Sequence, residues 1–469
     1  MSGPFLAKVL QTPAEDLRPA LDELVSAGLV ELSGQDSPYW KWKDPAAAEA
    51  EVAAMGAEER RDLHRRLYDF IAAQGDSDSF AGLLAEHAGP AGLRAEAFRW
   101  NMRAGEISAA AGNFAGAARY YRRALDFAAE PGQEASTYLQ LANLECHLGR
   151  FAAAEQPYRE ALARLNGETN PAAWLRAVQS LAAALVEQGR YAEALNELQK
   201  VRARIPDFGS GLERNVILLH LAQVYIGMGM MREADAALQE VGDMSAREEF
   251  ASLAPYQQLL SGKLEVIQGR LAPAFRIFEE AARGFEIQGD LAGKLEVLLS
   301  ISAPLMEHYL LKEAQALLDQ LSSWEELKDF PALDHSVKLR RLSLGTFLGK
   351  WDPKDLDLLS QDSAEIGRVE DWLTFWFHLS LAARRLKESK SAETFLRKAK
   401  AVLDRISQGL EPGQRESFLR RPDIARILRL SERDLSQPVT PKVRARRSLP
   451  SSGPAEAATL APPLTNPKK

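Results

Sequence analysis

Between residues 105 and 400 the chain repeats one arrangement of small, large apolar and polar positions about every 40 residues. Its punctuation is a short turn: Gly149-Arg150-Phe151, Gly189-Arg190-Tyr191, Gly229-Met230-Met231 and Gly269-Arg270-Leu271 follow one another at 40-residue intervals. The register continues without glycine at Tyr309-Leu310-Leu311, returns at Gly349-Lys350-Trp351 and fades at Ser389-Lys390-Ser391, while an earlier copy, Gly112-Asn113-Phe114, lies 37 residues before Gly149. Seven residues before the turns stand small side chains, Gly105, Ala142, Ala182, Ala222, Gly262, Ser302 and Ala382, with Leu342 the exception. Five residues after comes alanine, at Ala117, Ala154, Ala194, Ala234, Ala274 and Ala314. Nine after is a large apolar residue (Tyr121, Tyr158, Leu198, Leu238, Phe278, Leu318, Leu358), and twelve after follow Ala124, Ala161, Val201, Val241, Ala281 and Leu321. This spacing predicts pairs of antiparallel helices: the small residues let two helices approach, and the large one fills the hole between neighbouring pairs. Glycine at the turn supplies the left-handed backbone that ends the first helix.

The succession of a small residue, alanine and alanine at intervals of 12 and 7 residues resembles the tetratricopeptide (TPR) repeat. The units are longer than the usual TPR, which resembles the long repeats in the sensor regions of bacterial signal-transduction ATPases. The resemblance implies an all-α fold: a right-handed TPR-like α-solenoid of about eight helical hairpins over residues 101–408, with a capping segment over 409–435.

In front of the repeats two segments are expected, 1–45 and a helical adaptor over 46–100. In the first, Thr12 is placed to cap a helix that begins near Pro13, runs through Leu17, Leu21, Leu24 and Val25, and stops at Gly28. Leu29-Val30-Glu31-Leu32 and Tyr39-Trp40-Lys41-Trp42 then alternate as two strands around Gly34-Gln35-Asp36, an order that looks like the last part of a winged-helix module. Its helix carries Glu15, Asp16, Asp22 and Glu23 against Arg18 alone, so phosphates would be repelled and nucleic acid is not the expected partner. A charged helix with Leu63-His64-Arg65-Arg66 follows, then Leu84-Ala85-Glu86-His87 and the repeats, closed by Arg415 to Asp423. That order resembles the carboxy-terminal half of STAND-type signalling ATPases. The ATPase core has no counterpart here: Gly262-Lys263 and Gly293-Lys294 lack both the upstream glycine and the following hydroxyl residue of a phosphate-binding loop.

Composition narrows the chemistry. With 58 Lys and Arg against 65 Asp and Glu, the net charge of −7 argues against a surface that tracks phosphates throughout. The single cysteine, Cys146, excludes an intramolecular disulfide and a cysteine zinc site. The seven histidines include no pair at i, i+4, so no metal is expected, and no nucleophile motif is present. Neither an enzyme nor a cofactor is expected. No window is apolar enough to span a membrane and the first residues do not form a signal peptide, which makes a cytoplasmic protein the expectation. The segment 436–469, with seven prolines from Gln437 onward, no aromatic residue and the basic cluster Lys442, Arg444, Arg446 and Arg447, is expected to be disordered.

By the TPR resemblance, the first helices of the pairs line a concave groove that takes a protein or peptide. The positions facing it include Gln140, Asn143, Arg176, Gln179, His220, Gln223, Lys263, Arg340 and Trp376. Amide and basic residues there suit an extended, acidic peptide. Trp372, Phe375, Trp376 and Phe377 cannot all face one side of a helix, so at least one of them should meet solvent or a partner. The expected function is a non-catalytic binding scaffold or sensor in bacterial signal transduction. The alternatives are a transcriptional regulator using the winged helix and a ligand-sensing subunit acting on a separate ATPase or kinase.

Overall fold

The computed structural model describes residues 2–33, 39–75, 77–165, 167, 170–208, 211–245, 248–350 and 367–430. The turn Gly34-Gln35-Asp36, Trp351, Leu358 and the segment 436–469 with its basic cluster lie outside the described residues. The chain divides into two compact units, Met1–Leu141 and Ala142–Lys469.

The first unit opens with α1 (Gly3–Leu10) and α2 (Ala14–Ser26), then β1 (Val30–Ser33) and β2 (Tyr39–Trp42), paired antiparallel with Val30 opposite Trp42 and Ser33 opposite Tyr39. Thr12 does not cap α2: α1 already reaches Leu10, so Thr12 falls in the turn that closes α1 and its hydroxyl donates to the Leu10 carbonyl at 3.1 Å. Gly28 ends α2 in the left-handed region, as its position suggested. There follow α3 (Pro45–Ala54), α4 (Ala57–Ala72), α5 (Ala81–Ala88), α6 (Arg94–Ala110) and α7 (Phe114–Phe127). Ile71, Leu84, Ala85, Ala88, Ala97, Trp100 and Ala104 form one core among α4, α5 and α6, and the buried Trp100 indole donates to the Tyr68 hydroxyl at 3.1 Å. The boundary between the units falls within α8 (Pro131–His147).

The second unit continues with α9 (Phe151–Arg164), α10 (Pro171–Glu187), α11 (Tyr191–Phe208), α12 (Gly211–Met228) and α13 (Met231–Ser245). Then come α14 (Ala254–Ile267), α15 (Leu271–Gln288), α16 (Leu291–Glu307), α17 (Leu311–Ser322) and α18 (Pro331–Phe347). The described chain ends with α19 (Val369–Arg385), α20 (Ser389–Gln408), α21 (Pro412–Arg420) and α22 (Pro422–Arg429). Together they make an all-α array of TPR-like helical hairpins, and among the described residues no helix is long and apolar enough to cross a membrane.

The repeat positions are the core. Ala154, Ala194, Ala234, Ala274 and Ala314 are fully buried, as are Ala142, Ala182, Ala222 and Ser302 on the preceding helices. At each turn the backbone closes in one way: at Gly189, φ is 74°, its amide donates to the Val186 carbonyl at 2.8 Å, and the next amide reaches Leu185 at 2.9 Å. This pairing satisfies two carbonyls that the helix end would leave open. Tyr309 adopts the same geometry with φ 59° despite its side chain.

The last turn sits two residues earlier than the sequence register placed it. Lys387, not Ser389, takes the left-handed conformation with φ 64°, and Ser389 already starts α20. Counting from Lys387 restores the pattern, with Ser380 seven before and Ala392, Leu396 and Ala399 five, nine and twelve after, all buried. A lysine in place of the punctuating glycine hid the slip.

Candidate ligand cavity

Within the second unit, α10, α12, α14, α16, α18, α19 and α22 surround a cavity of about 450 Å³. Gln223, Lys263 and Arg340, three of the expected groove residues, line it together. They meet because the hairpins stack, bringing residues far apart in sequence to one wall.

The walls carry ion pairs rather than isolated charges. Lys263 Nζ lies 2.7 Å from Glu296 Oε1, and Arg368 Nη1 lies 2.5 Å from Glu296 Oε2. Arg368 Nε also approaches Glu187 Oε2 at 3.3 Å. Burial disfavours the charge on Glu296, but Arg368 and Lys263 outweigh it and hold this carboxyl well below the usual range. Glu187 shares the same guanidinium and is shifted upward, burial dominating over Arg368.

A second pair lies between α18 and α19. Arg340 Nη2 donates to Asp371 Oδ1 at 2.9 Å, and the Ser336 hydroxyl donates to Asp371 Oδ2 at 2.6 Å. The third group is centred on Arg421, at the start of α22. Its Nη1 donates to Glu370 Oε1 at 2.8 Å and to the Gly227 carbonyl at 3.1 Å, and its Nη2 donates to Asp423 Oδ2 at 2.9 Å. Tyr191 donates to the same Glu370 oxygen at 2.7 Å. Burial works against ionisation of Glu370, yet Arg421 and the Tyr191 hydroxyl bring its pKa down. Glu307 completes the wall between Arg426 Nη1 at 2.8 Å and His378 Nε2 at 3.5 Å.

These contacts define a chamber of mixed polar and apolar lining whose charges are largely neutralised within the protein. Such a chamber can hydrogen-bond a polar ligand without carrying a strong net field. Among the described residues no group of three or more His, Cys, Asp and Glu side chains is gathered to hold a metal ion.

The other expected groove residues lie elsewhere. Asn143 is exposed and accepts from the Tyr158 hydroxyl at 2.7 Å, and Arg176 is exposed on α10. Gln140, in the first unit, is half-buried, as are Gln179 and His220 in the second, and burial pushes the His220 imidazole down to about 4. Trp376 is buried against Phe395, their ring centroids 6.1 Å apart, with Lys398 over its face. All four aromatics at 372–377 are in fact buried, because α19 is covered by α18, α20 and the cavity side, where Phe377 faces Arg426.

Sequence reasoning missed Glu187, Glu296, Arg368, Glu370 and Asp371. The available signal was the charge cluster Arg368-Val369-Glu370-Asp371 opening an otherwise apolar helix.

The comparisons with known proteins fit this architecture. Residues 135–166 match the tetratricopeptide repeat family. No curated protein matches the sequence. Among solved structures, the fold is similar to that of a Rap protein complexed with competence and sporulation factor, with a TM-score of 0.53 and 15% identity over 78% of this chain and 98% of that one. Aspartyl phosphate phosphatase F from Bacillus subtilis aligns over 76% of this chain and 80% of its own, with 13% identity and a TM-score of 0.42.

Proposed function

We propose that this chain is a non-catalytic binding scaffold of bacterial signal transduction that takes an extended segment of a protein or peptide partner into the cavity of the second unit. The observation that supports this reading is the convergence of Gln223, Lys263 and Arg340 on one chamber of about 450 Å³. That volume falls within the roughly 300–1,000 Å³ span of ligand pockets. An extended peptide presents donors and acceptors in alternation, and the chamber offers amide, guanidinium and carboxylate groups to meet them. The similar Rap protein, complexed with competence and sporulation factor, is a precedent for a ligand on this fold. In a sensing role, occupancy of the cavity would be read by a separate ATPase or kinase. Nucleic acid is not the proposed partner, since α2 presents Glu15, Asp16, Asp22 and Glu23 beside Arg18.

Panning the purified full chain against a library of short displayed peptides, followed by titration of the selected sequences, tests this. The expected binders lose about tenfold in affinity, about 1.4 kcal/mol, in Gln223→Ala and Lys263→Ala. Binders indifferent to both substitutions would place the partner site elsewhere.

A further inference from the structure

The carboxylates of the cavity are not equally satisfied. Glu296 accepts hydrogen bonds from both Lys263 and Arg368, so the two cations of that group spend their donors on it. Asp371 accepts from Arg340 and Ser336, and Glu370 accepts from Arg421 and Tyr191. Asp423 and Glu307 accept from Arg421 and Arg426. Glu187 differs: it meets Arg368 alone, whose Nε lies 3.3 Å from Oε2 without being aligned to donate. The Glu187 side chain keeps 20% of its surface open and lines the cavity, so an incoming group can reach it. A carboxylate offers about four acceptor sites, and leaving them unmatched in a part-buried place is unfavourable.

The surroundings favour a positive group beside it. α10 ends at Glu187, and the last turns of α12, α14 and α16 reach the same cavity through Gly227, Val266 and Glu307. A helix C-terminus carries the negative end of the dipole, roughly half an elementary charge, which attracts cations and disfavours a carboxylate. Among the described residues that line the cavity, six carry carboxylates and five are lysine or arginine, so one added cation balances the set.

We infer that Glu187 is the cation-binding subsite of this cavity, its carboxylate receiving the hydrogen bonds of an ammonium group on the ligand. This rests on the cavity being the binding site. The ammonium can be the amino terminus of a peptide or a lysine side chain within it.

Calorimetric titration of the full chain with three forms of one selected peptide separates these sources. The first form is acetylated, with every lysine and arginine replaced by glutamine. The second restores the free amino terminus, and the third stays acetylated and carries one lysine, placed at each position in turn. One ammonium-bearing form is expected to bind about tenfold more tightly than the first, and to lose that advantage in Glu187→Gln. This substitution keeps the size of the side chain and removes a carboxylate from a helix C-terminus, so the denaturation midpoint is expected to hold or rise. Glu187→Ala is expected to abolish the same preference. Equal affinity of the three forms for the wild type, or a preference that survives in either folded variant, overturns the subsite. If the peptides still lose affinity in Gln223→Ala and Lys263→Ala, the cavity reading survives that result; absence of peptide binding altogether overturns both.

Discussion

Arg368 illustrates how single residues here gain their roles from long-range packing. It sits between Glu187 and Glu296, two carboxylates that belong to helices far away in the chain. Removing one partner of a buried ion pair costs far more than the pair contributes, because the remaining charge loses its compensation. The cluster is part-buried, so Arg368→Ala is expected to destabilise the protein by about 1–3 kcal/mol in urea denaturation. A second residue-scale prediction concerns His220, which burial holds near pKa 4 against an ordinary value of 6.5. The folded state keeps this imidazole neutral while the unfolded state takes up a proton. Its contribution to stability is thus complete above pH 6.5 and is lost as the pH falls from 6.5 towards 4. Stability measured across that window should fall with decreasing pH in the wild type and less steeply in His220→Gln. His378, also shifted downward by burial, keeps part of the slope in both proteins.

At the level of elements, the turns between helices are the most regular feature, and Tyr309 and Lys387 are the places where the rule is strained. A left-handed backbone disfavours side chains by roughly 1–2 kcal/mol. Lys387 is exposed, so Lys387→Gly is expected to raise stability by about 1 kcal/mol, seen as a higher denaturation midpoint. The reverse test is Gly189→Ala. There the new Cβ would meet Val369 Cγ1 at 2.8 Å and Ile406 Cγ1 at 2.9 Å in addition to the unfavourable φ, and the loss should exceed 1 kcal/mol or so.

These turns also explain what was legible in the sequence. The small and large apolar positions recur because each hairpin meets its neighbours in the same way, so Ala154, Ala194 and their equivalents could be read as core from spacing alone. The slip at Lys387 was invisible because its marker is a backbone angle rather than a residue type. The charged wall was hidden for a different reason. Pairing at i, i+4 is local and visible, whereas Lys263 with Glu296 and Arg340 with Asp371 arise from stacking separate hairpins. The acidic and basic positions of this cavity therefore looked the same as those of a solvated helix face.

At the scale of the second unit, the segment after the repeats does more than cover an apolar end. Arg421 binds the Gly227 carbonyl, Glu370 and Asp423 at once, which ties α22 to α12 and to the start of α19. Ser417 lies so close to Gly229 that no side chain would fit there without movement. Because no lysine can satisfy three such acceptors in one plane, Arg421→Lys should lose most of what Arg421→Ala loses, about 3 kcal/mol or more. Denaturation of the full-length variants checks this.

The central claim, that the cavity of the second unit receives the partner, is tested most directly by hydrogen exchange of the full chain with and without a selected peptide. New protection is expected along the cavity-facing stretches of α12, α14, α16 and α18, around Gln223, Lys263, Ser300 and Arg340. Protection confined to helices that do not line the cavity, with these four stretches unchanged at saturating peptide, would contradict the account.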